Sequence, residues 1–340
     1  MKDAQSVTIQ FSSENTKSFR NNQKLPSINN RAKENVKEDC IIKEEPENKP
    51  SRCPCSNKQL LIIMIPSAVV ALFMIIFLPI YLTNNDDEEE FDEFEEKIVD
   101  YNFATLTPKN GYNNIYIHLG GISEVANRYF DFFKSKSTYV PKKTKLYFLT
   151  GEERIINYME QWHITTPVPG WFNVDQNGLL IGESGHEFDQ AKESLTYILD
   201  KIDEIKSNEH VSYNQIYLGG FSQGGIMVNY VLLNSRHELG GYMAFSGYIL
   251  DHRFNANTVV PNLNDEQKAV LESKKHYHIL AAHSFNDKNV PYMNSIEAYC
   301  KYFKEYTDFK LYSFGNLEHY FAEQPIHQEA RAWLKKSMGK

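Results

Sequence analysis

Hydrophobic and polar positions divide the chain into stretches of different character. Residues 1–59 scatter few large apolar side chains among Asn, Ser, Lys and Glu. Such a composition buries too little surface to offset the entropy of ordering, so a disordered tail is expected. Leu60–Leu82 then runs 23 residues without a charge, broken only by Pro66, Ser67 and Pro79. At about 1.5 Å per residue this is long enough for a hydrocarbon layer of roughly 30 Å, and it predicts a single transmembrane helix. From about residue 98 short apolar runs alternate with helical spacing, the pattern of a parallel sheet covered by helices.

Strands are predicted at 115–117, 146–149, 216–218, 242–245, 278–281 and 311–312. Leu195, Ile198, Leu199, Ile202 and Ile205 recur at helical spacing between the second and third of these. A last helix is predicted from about Ile326 to Lys336, with Ala330, Trp333 and Leu334 on one face. The domains expected are a tail over 1–59, the helix over 60–82, an acidic linker over 83–97 and one α/β domain over 98–340.

Charge adds direction. The formal net charge of −8 gives no basic face for nucleic acid, so no nucleic-acid partner is expected. Lys43, Lys49, Arg52 and Lys58 precede the apolar segment, whereas Lys97 is the only base in the twenty residues after it. The positive-inside bias therefore predicts a single-pass membrane protein, N-terminus cytosolic, with the C-terminal domain luminal or extracellular. Of the four cysteines only Cys300 lies in that domain, so it is not a disulfide scaffold.

The candidate chemistry sits in Ile216-Tyr-Leu-Gly-Gly-Phe-Ser-Gln-Gly-Gly-Ile-Met-Val. Gly220-Phe221-Ser222-Gln223-Gly224 fits G-x-S-x-G, and it follows a predicted strand and opens a helical pattern, the context a nucleophile elbow requires. That turn exposes Ser222 and aims the Gln223 amide at its front, where an oxyanion develops. In this arrangement an acid and then a histidine follow the serine along the chain. Asp287 lies just past the end of a predicted strand, where sites of open sheets gather. Asp308 precedes its strand, Asp265 sits in a Pro/Asn-rich excursion and Asp251 trails its strand by several residues. His319 lies in a loop between the last strand and the last helix, whereas His327 falls inside that helix and is expected at the surface. Ser222, Asp287 and His319 are thus the candidate nucleophile, acid and base. The first strand ends in His118-Leu119-Gly120-Gly121, and Gly120 is the expected second oxyanion donor beside Gln223, with Leu119 as the alternative. His118 and His283 are assigned no chemistry. Pro167-Val-Pro-Gly-Trp-Phe is an aromatic loop, either wall or core.

With these residues in place, the stretch from about 113 to 338 resembles the acyl-protein thioesterase and phospholipase/carboxylesterase family of α/β-hydrolases. The resemblance rests on the strand-His-Leu-Gly-Gly loop, Pro169-Gly-Trp-Phe, Gly220-Phe-Ser-Gln-Gly-Gly, Phe245-Ser-Gly, His283-Ser-Phe-Asn-Asp-Lys-Asn-Val-Pro and Gly315-Asn-Leu-Glu-His. It implies an α/β-hydrolase fold and hydrolysis of ester or thioester bonds through an acyl-enzyme, without metal or cofactor. The substrate it implies is an acylated small molecule, lipid or protein. The family's usual loop reads His-Gly-Leu-Gly-Asp where this chain has His-Leu-Gly-Gly-Ile. The competing reading is a non-catalytic binding module on the same scaffold.

Overall fold

Eleven strands and six α-helices occur among the described residues of the computed structural model: 42–43, 93–134, 140–174, 186–250, 262–290, 292–304, 308–315, 317–321 and 327–339. The strands are β1 (Ile42–Lys43), β2 (Phe94–Ile98), β3 (Phe103–Pro108), β4 (Asn114–Leu119), β5 (Thr144–Leu149), β6 (Glu153–Arg154), β7 (Val168–Pro169), β8 (Ile216–Phe221), β9 (Gly241–Phe245), β10 (His278–Ser284) and β11 (Asp308–Phe314). The helices are α1 (Phe130–Lys134), α2 (His186–Glu209), α3 (Gln223–Asn234), α4 (Asp265–Ser273), α5 (Tyr292–Tyr302) and α6 (His327–Ser337).

Nine strands form one sheet in the order β1-β11-β10-β9-β8-β4-β5-β3-β2. All pairs are parallel except β5–β3 and β3–β2. Each of the six predicted strands lies within one of these, because in a sheet buried on both faces the strands read as apolar runs. The period-2 alternation of a strand sends neighbours to opposite faces. Ile115, Ile117 and Leu119 enter one core with Ile198, Ile202 and Ile205 of α2, Ile226 and Val228 of α3, Leu271 of α4 and Ile296 of α5. Tyr116 enters the other, with Phe130 and Phe133 of α1 and Ala330, Trp333 and Leu334 of α6.

The sheet begins earlier than the apolar pattern suggests. Phe94–Ile98 starts inside the stretch expected as an acidic linker, and Ile42–Lys43 pairs with Tyr312 and Ser313 from inside the expected tail. Cys300 is disulfide-bonded. His327 is buried, not at the surface, and its Nε2 donates to the Phe321 carbonyl at 2.7 Å.

The expected localisation is corrected. Leu60–Leu82 lies outside the described residues, and no helix among the described residues is long and apolar enough to cross a membrane. A crossing takes about 20 apolar residues. At 24 residues α2 has the length, but Asp189, Lys192, Asp200, Lys201, Asp203 and Lys206 run through it. The single-pass arrangement, its luminal or extracellular domain and the membrane as a partner through Leu60–Leu82 are therefore not retained.

Candidate active site

Strand β8 hands over to helix α3 at Ser222, which holds φ 56° and ψ −122°, a left-hand-side backbone that non-glycine residues adopt only when surroundings over-determine them. Here the Ser222 amide donates to the Phe245 carbonyl at 2.9 Å, and the Ser222 carbonyl accepts from Ile226 at 3.0 Å. Two glycines make the turn possible. A Cβ on Gly220 would come within 2.6 Å of the Gly224 backbone, and one on Gly224 within 2.1 Å of the Leu119 carbonyl oxygen. The elbow thus presses directly on the end of β4.

Around it the loops after β10 and β11 converge. The Phe285 amide donates to the Phe314 carbonyl at 2.7 Å, and Ser284 Oγ donates to the Leu317 carbonyl at 2.5 Å. These bonds bring His319 over the elbow. Its Nε2 lies 2.7 Å from Ser222 Oγ and its Nδ1 lies 2.7 Å from Asp287 Oδ2. The other carboxylate oxygen of Asp287 accepts from the amides of Asn289 at 3.0 Å and Val290 at 2.9 Å. Burial by itself pushes the Asp287 carboxyl up. The His319 hydrogen bond, the neighbouring histidines and the Val290 amide outweigh it and hold the group below the ordinary carboxylate range. The structure therefore brings Ser222, His319 and Asp287 into one hydrogen-bonded line. Asp308 stands at the opposite end of the sheet, paired with His278 and Lys336. Asp265 opens α4 and pairs with Lys268, and Asp251 lies outside the described residues.

Neither His118 nor His283 joins this line. His283 is buried and its Nε2 donates to the Val290 carbonyl at 2.8 Å, bracing the Asp287 loop. Burial pushes its imidazole down despite the nearby Asp287. His118 is walled in by rings, with Tyr129 and Phe133 at centroid distances of 4.4 and 5.4 Å. Burial, then His327, pushes its imidazole down to about 3, so it stays neutral.

The oxyanion side departs from expectation. The Gly120 amide donates to the Leu149 carbonyl at 2.9 Å and so extends the β4–β5 ladder. It is not available as a donor, and the Gly120 assignment is corrected. The next amide, that of Gly121, lies beyond the end of β4 and donates to Glu124 Oε2 at 2.5 Å. A Cβ on Gly121 would lie 3.3 Å from Ser222 Cβ. The Gln223 amide opens α3, whose positive end favours negative charge.

A role that sequence reasoning missed belongs to the Gln223 side chain and Trp171. Gln223 Oε1 accepts from the Trp171 amide at 2.7 Å, and its Nε2 donates to the Phe172 carbonyl at 2.5 Å. Trp171 Nε1 donates to the Gly120 carbonyl at 2.8 Å. Both aromatic side chains are wholly buried. The 167–172 loop is thus a brace between the elbow and the β4 turn. Only its aromatic density signalled anything beforehand.

The chain is 25% identical over 155 residues to acyl-protein thioesterase 1 of Kluyveromyces lactis, covering 45% of this chain and 62% of that relative. It thus spans less than two thirds of the curated relative's length. The fold is similar to that of Zea mays acyl-protein thioesterase 2, with TM-score 0.53 and 16% identity over 71% of this chain and 100% of that one. It is also similar to the Bacillus cereus carboxylesterase, with TM-score 0.50 and 12% identity over 76% and 98% of the two chains. A family model described as phospholipase/carboxylesterase matches residues 130–337. More than half of the chain falls inside that match, and the protein belongs to the phospholipase/carboxylesterase family of α/β-hydrolases.

Proposed function

We propose that this family member is a serine hydrolase that cleaves carboxylic ester or thioester bonds through an acyl-enzyme. The observation that carries the reading is the line from Ser222 Oγ through His319 to Asp287, with both contacts at 2.7 Å. His319 Nε2 takes the Ser222 proton as Oγ forms a bond to the acyl carbon, and the carbonyl electron pair moves onto oxygen. The amide of Gln223 stabilises that oxygen. Collapse breaks the bond to the leaving alcohol or thiol, which leaves with the proton held by His319. Water then repeats the sequence on the acyl-enzyme, releasing the acid and restoring Ser222. Asp287 holds the imidazole with Nδ1 protonated, so that Nε2 is the basic nitrogen. No step calls on a cofactor.

The likeness to an acyl-protein thioesterase supports protein thioesters as substrates alongside small or lipid esters. With the predicted luminal or extracellular placement no longer retained, nothing in the chain's topology sets them apart. Residues 93–340 frame the fold, but the full chain is the material to assay. A fluorophosphonate probe is expected to label the parent on Ser222 and to leave Ser222→Ala unlabelled. Hydrolysis of p-nitrophenyl butyrate should fall by roughly 10³-fold or more in the variant, with thermal unfolding unchanged. A parent that is folded, unlabelled and inert overturns the reading in favour of a binding module.

A further inference from the structure

The turn after β4 runs Gly121-Ile122-Ser123-Glu124 and closes on itself. Glu124 Oε2 accepts from the Gly121 amide at 2.5 Å. The same oxygen accepts from the Tyr129 hydroxyl, and Arg128 Nε stands 3.6 Å from Oε1. Glu124 is 8% exposed and Tyr129 6%. Burial, then the neighbouring Glu124, raises the Tyr129 phenol well above its ordinary range, so it remains a donor. A Cβ on Gly121 would meet Glu124 Oε2 at 3.0 Å and Ser222 Cβ at 3.3 Å. Carboxylate, glycine amide and nucleophile therefore form one contact group.

An acyl transfer site needs amide donors aimed at the position where negative charge develops. At the end of β4 the first amide not spent in the sheet is that of Gly121, and it already holds an oxygen carrying negative charge. A carboxylate oxygen resembles a tetrahedral oxyanion in charge and in donor preference. Resting on the reading of Ser222 as nucleophile, we propose that Glu124 is a positioning residue whose carboxylate occupies the Gly121 amide, and that an acyl substrate's oxygen displaces it only as negative charge develops there in the chemical step, so gaining its second donor. Arg128 keeps the displaced carboxylate partnered through Oε1, which lets it leave the amide without becoming an isolated buried charge, whereas the Tyr129 hydroxyl holds Oε2 in place at the amide. The carboxylate also lies where it opposes a second negative charge, so it slows the chemical step and not substrate docking.

Glu124→Gln tests this, because the amide side chain keeps the shape and a neutral acceptor for Gly121 while removing the charge. A hydrogen bond to a charged acceptor exceeds one to a neutral acceptor by enough for about a tenfold change. The kcat for p-nitrophenyl butyrate and the rate of fluorophosphonate labelling should each rise about tenfold, with KM little changed. Tyr129→Phe, which loosens the carboxylate without touching Glu124, should raise kcat by a smaller factor. A purely structural Glu124 gives an unchanged or lower kcat in both, and that result overturns the proposal while the parent's own labelling keeps the Ser222 reading. Should Glu124→Gln fail to fold, Tyr129→Phe decides alone by the same criterion. If the folded parent is neither labelled nor active, both readings fall together.

Discussion

Gly224→Ala separates packing from chemistry in a single methyl group. A Cβ at Gly224 would stand 2.1 Å from the Leu119 carbonyl oxygen, 2.6 Å from the Leu119 carbonyl carbon and 2.7 Å from the Gly120 oxygen. All three are main-chain atoms, so no rotamer change relieves the clash. The end of β4 and the start of α3 must move apart by about 1 Å to reach ordinary contact. Overpacking of this kind costs about 1–3 kcal/mol, while alanine in place of glycine inside a helix returns up to about 1 kcal/mol. The net loss is about 0–3 kcal/mol, a fall of up to roughly 10 °C in Tm for a domain of this size. The chemical cost is larger. The same movement separates the β4 turn from Ser222 and Gln223, and misplacing one oxyanion donor costs about 10²–10³-fold in kcat. Thermal unfolding and p-nitrophenyl butyrate turnover on the same sample are the measurements. A variant that loses little Tm but most of its kcat supports the geometry. One that turns over at the parent's rate refutes the claim that this contact sets the site.

Asp287→Asn should leave the fold intact and lower kcat by about 10⁴-fold, because the amide favours the wrong histidine tautomer; p-nitrophenyl butyrate kinetics check it. Trp171→Phe removes the donor to the Gly120 carbonyl and leaves a buried acceptor unpaired, so a stability loss of about 1–3 kcal/mol by urea unfolding is expected, together with a lower kcat. Lys274 is buried, donates to the Leu232 carbonyl at 2.8 Å, and burial pushes its amine down to about 7. Between about pH 7 and the ordinary lysine value the unfolded chain binds the extra proton, so this residue makes stability rise with pH by up to about 1.4 kcal/mol per unit; the advantage of Lys274→Met over the parent should shrink by about 2 kcal/mol from pH 7 to pH 9 in urea unfolding.

What the sequence shows of this protein follows from where apolar surface is forced. Six strands of the sheet's interior were legible because burial on both faces leaves little choice but Ile, Leu, Tyr, Phe and Ala. Strands β2 and β3 were not. Phe94–Ile98 reads Phe-Glu-Glu-Lys-Ile, lies at the sheet edge and is largely exposed, so its pairing with Phe103–Pro108 is carried by main-chain bonds that leave no mark in composition. That Ser222, Asp287 and His319 come together was legible because an elbow needs glycines at fixed offsets and because strand ends restrict which acid and which histidine reach it. His327 was read as a surface residue because helical spacing gives no warning of a ring whose Nε2 donates to the Phe321 carbonyl at 2.7 Å.

The oxyanion side shows why a motif alone does not fix a donor. Which amide stays unpaired at the end of β4 depends on how far the ladder with β5 extends, and that is a property of two strands in register. Here Leu119 pairs with Leu149, and the bond from Gly120 to Leu149 carries the ladder one residue further. The first amide outside the ladder is therefore that of Gly121, which donates to Glu124 Oε2. In the order His-Leu-Gly-Gly that residue is a glycine, which leaves room beside Ser222 where a Cβ would stand 3.3 Å from the serine Cβ. The same shift puts the amide three residues before Glu124, the spacing at which a side chain reaches back to cap a main-chain donor. On the displacement proposal, the order His-Leu-Gly-Gly keeps a second donor at Gly121, and Glu124 must leave that amide before the donor can act.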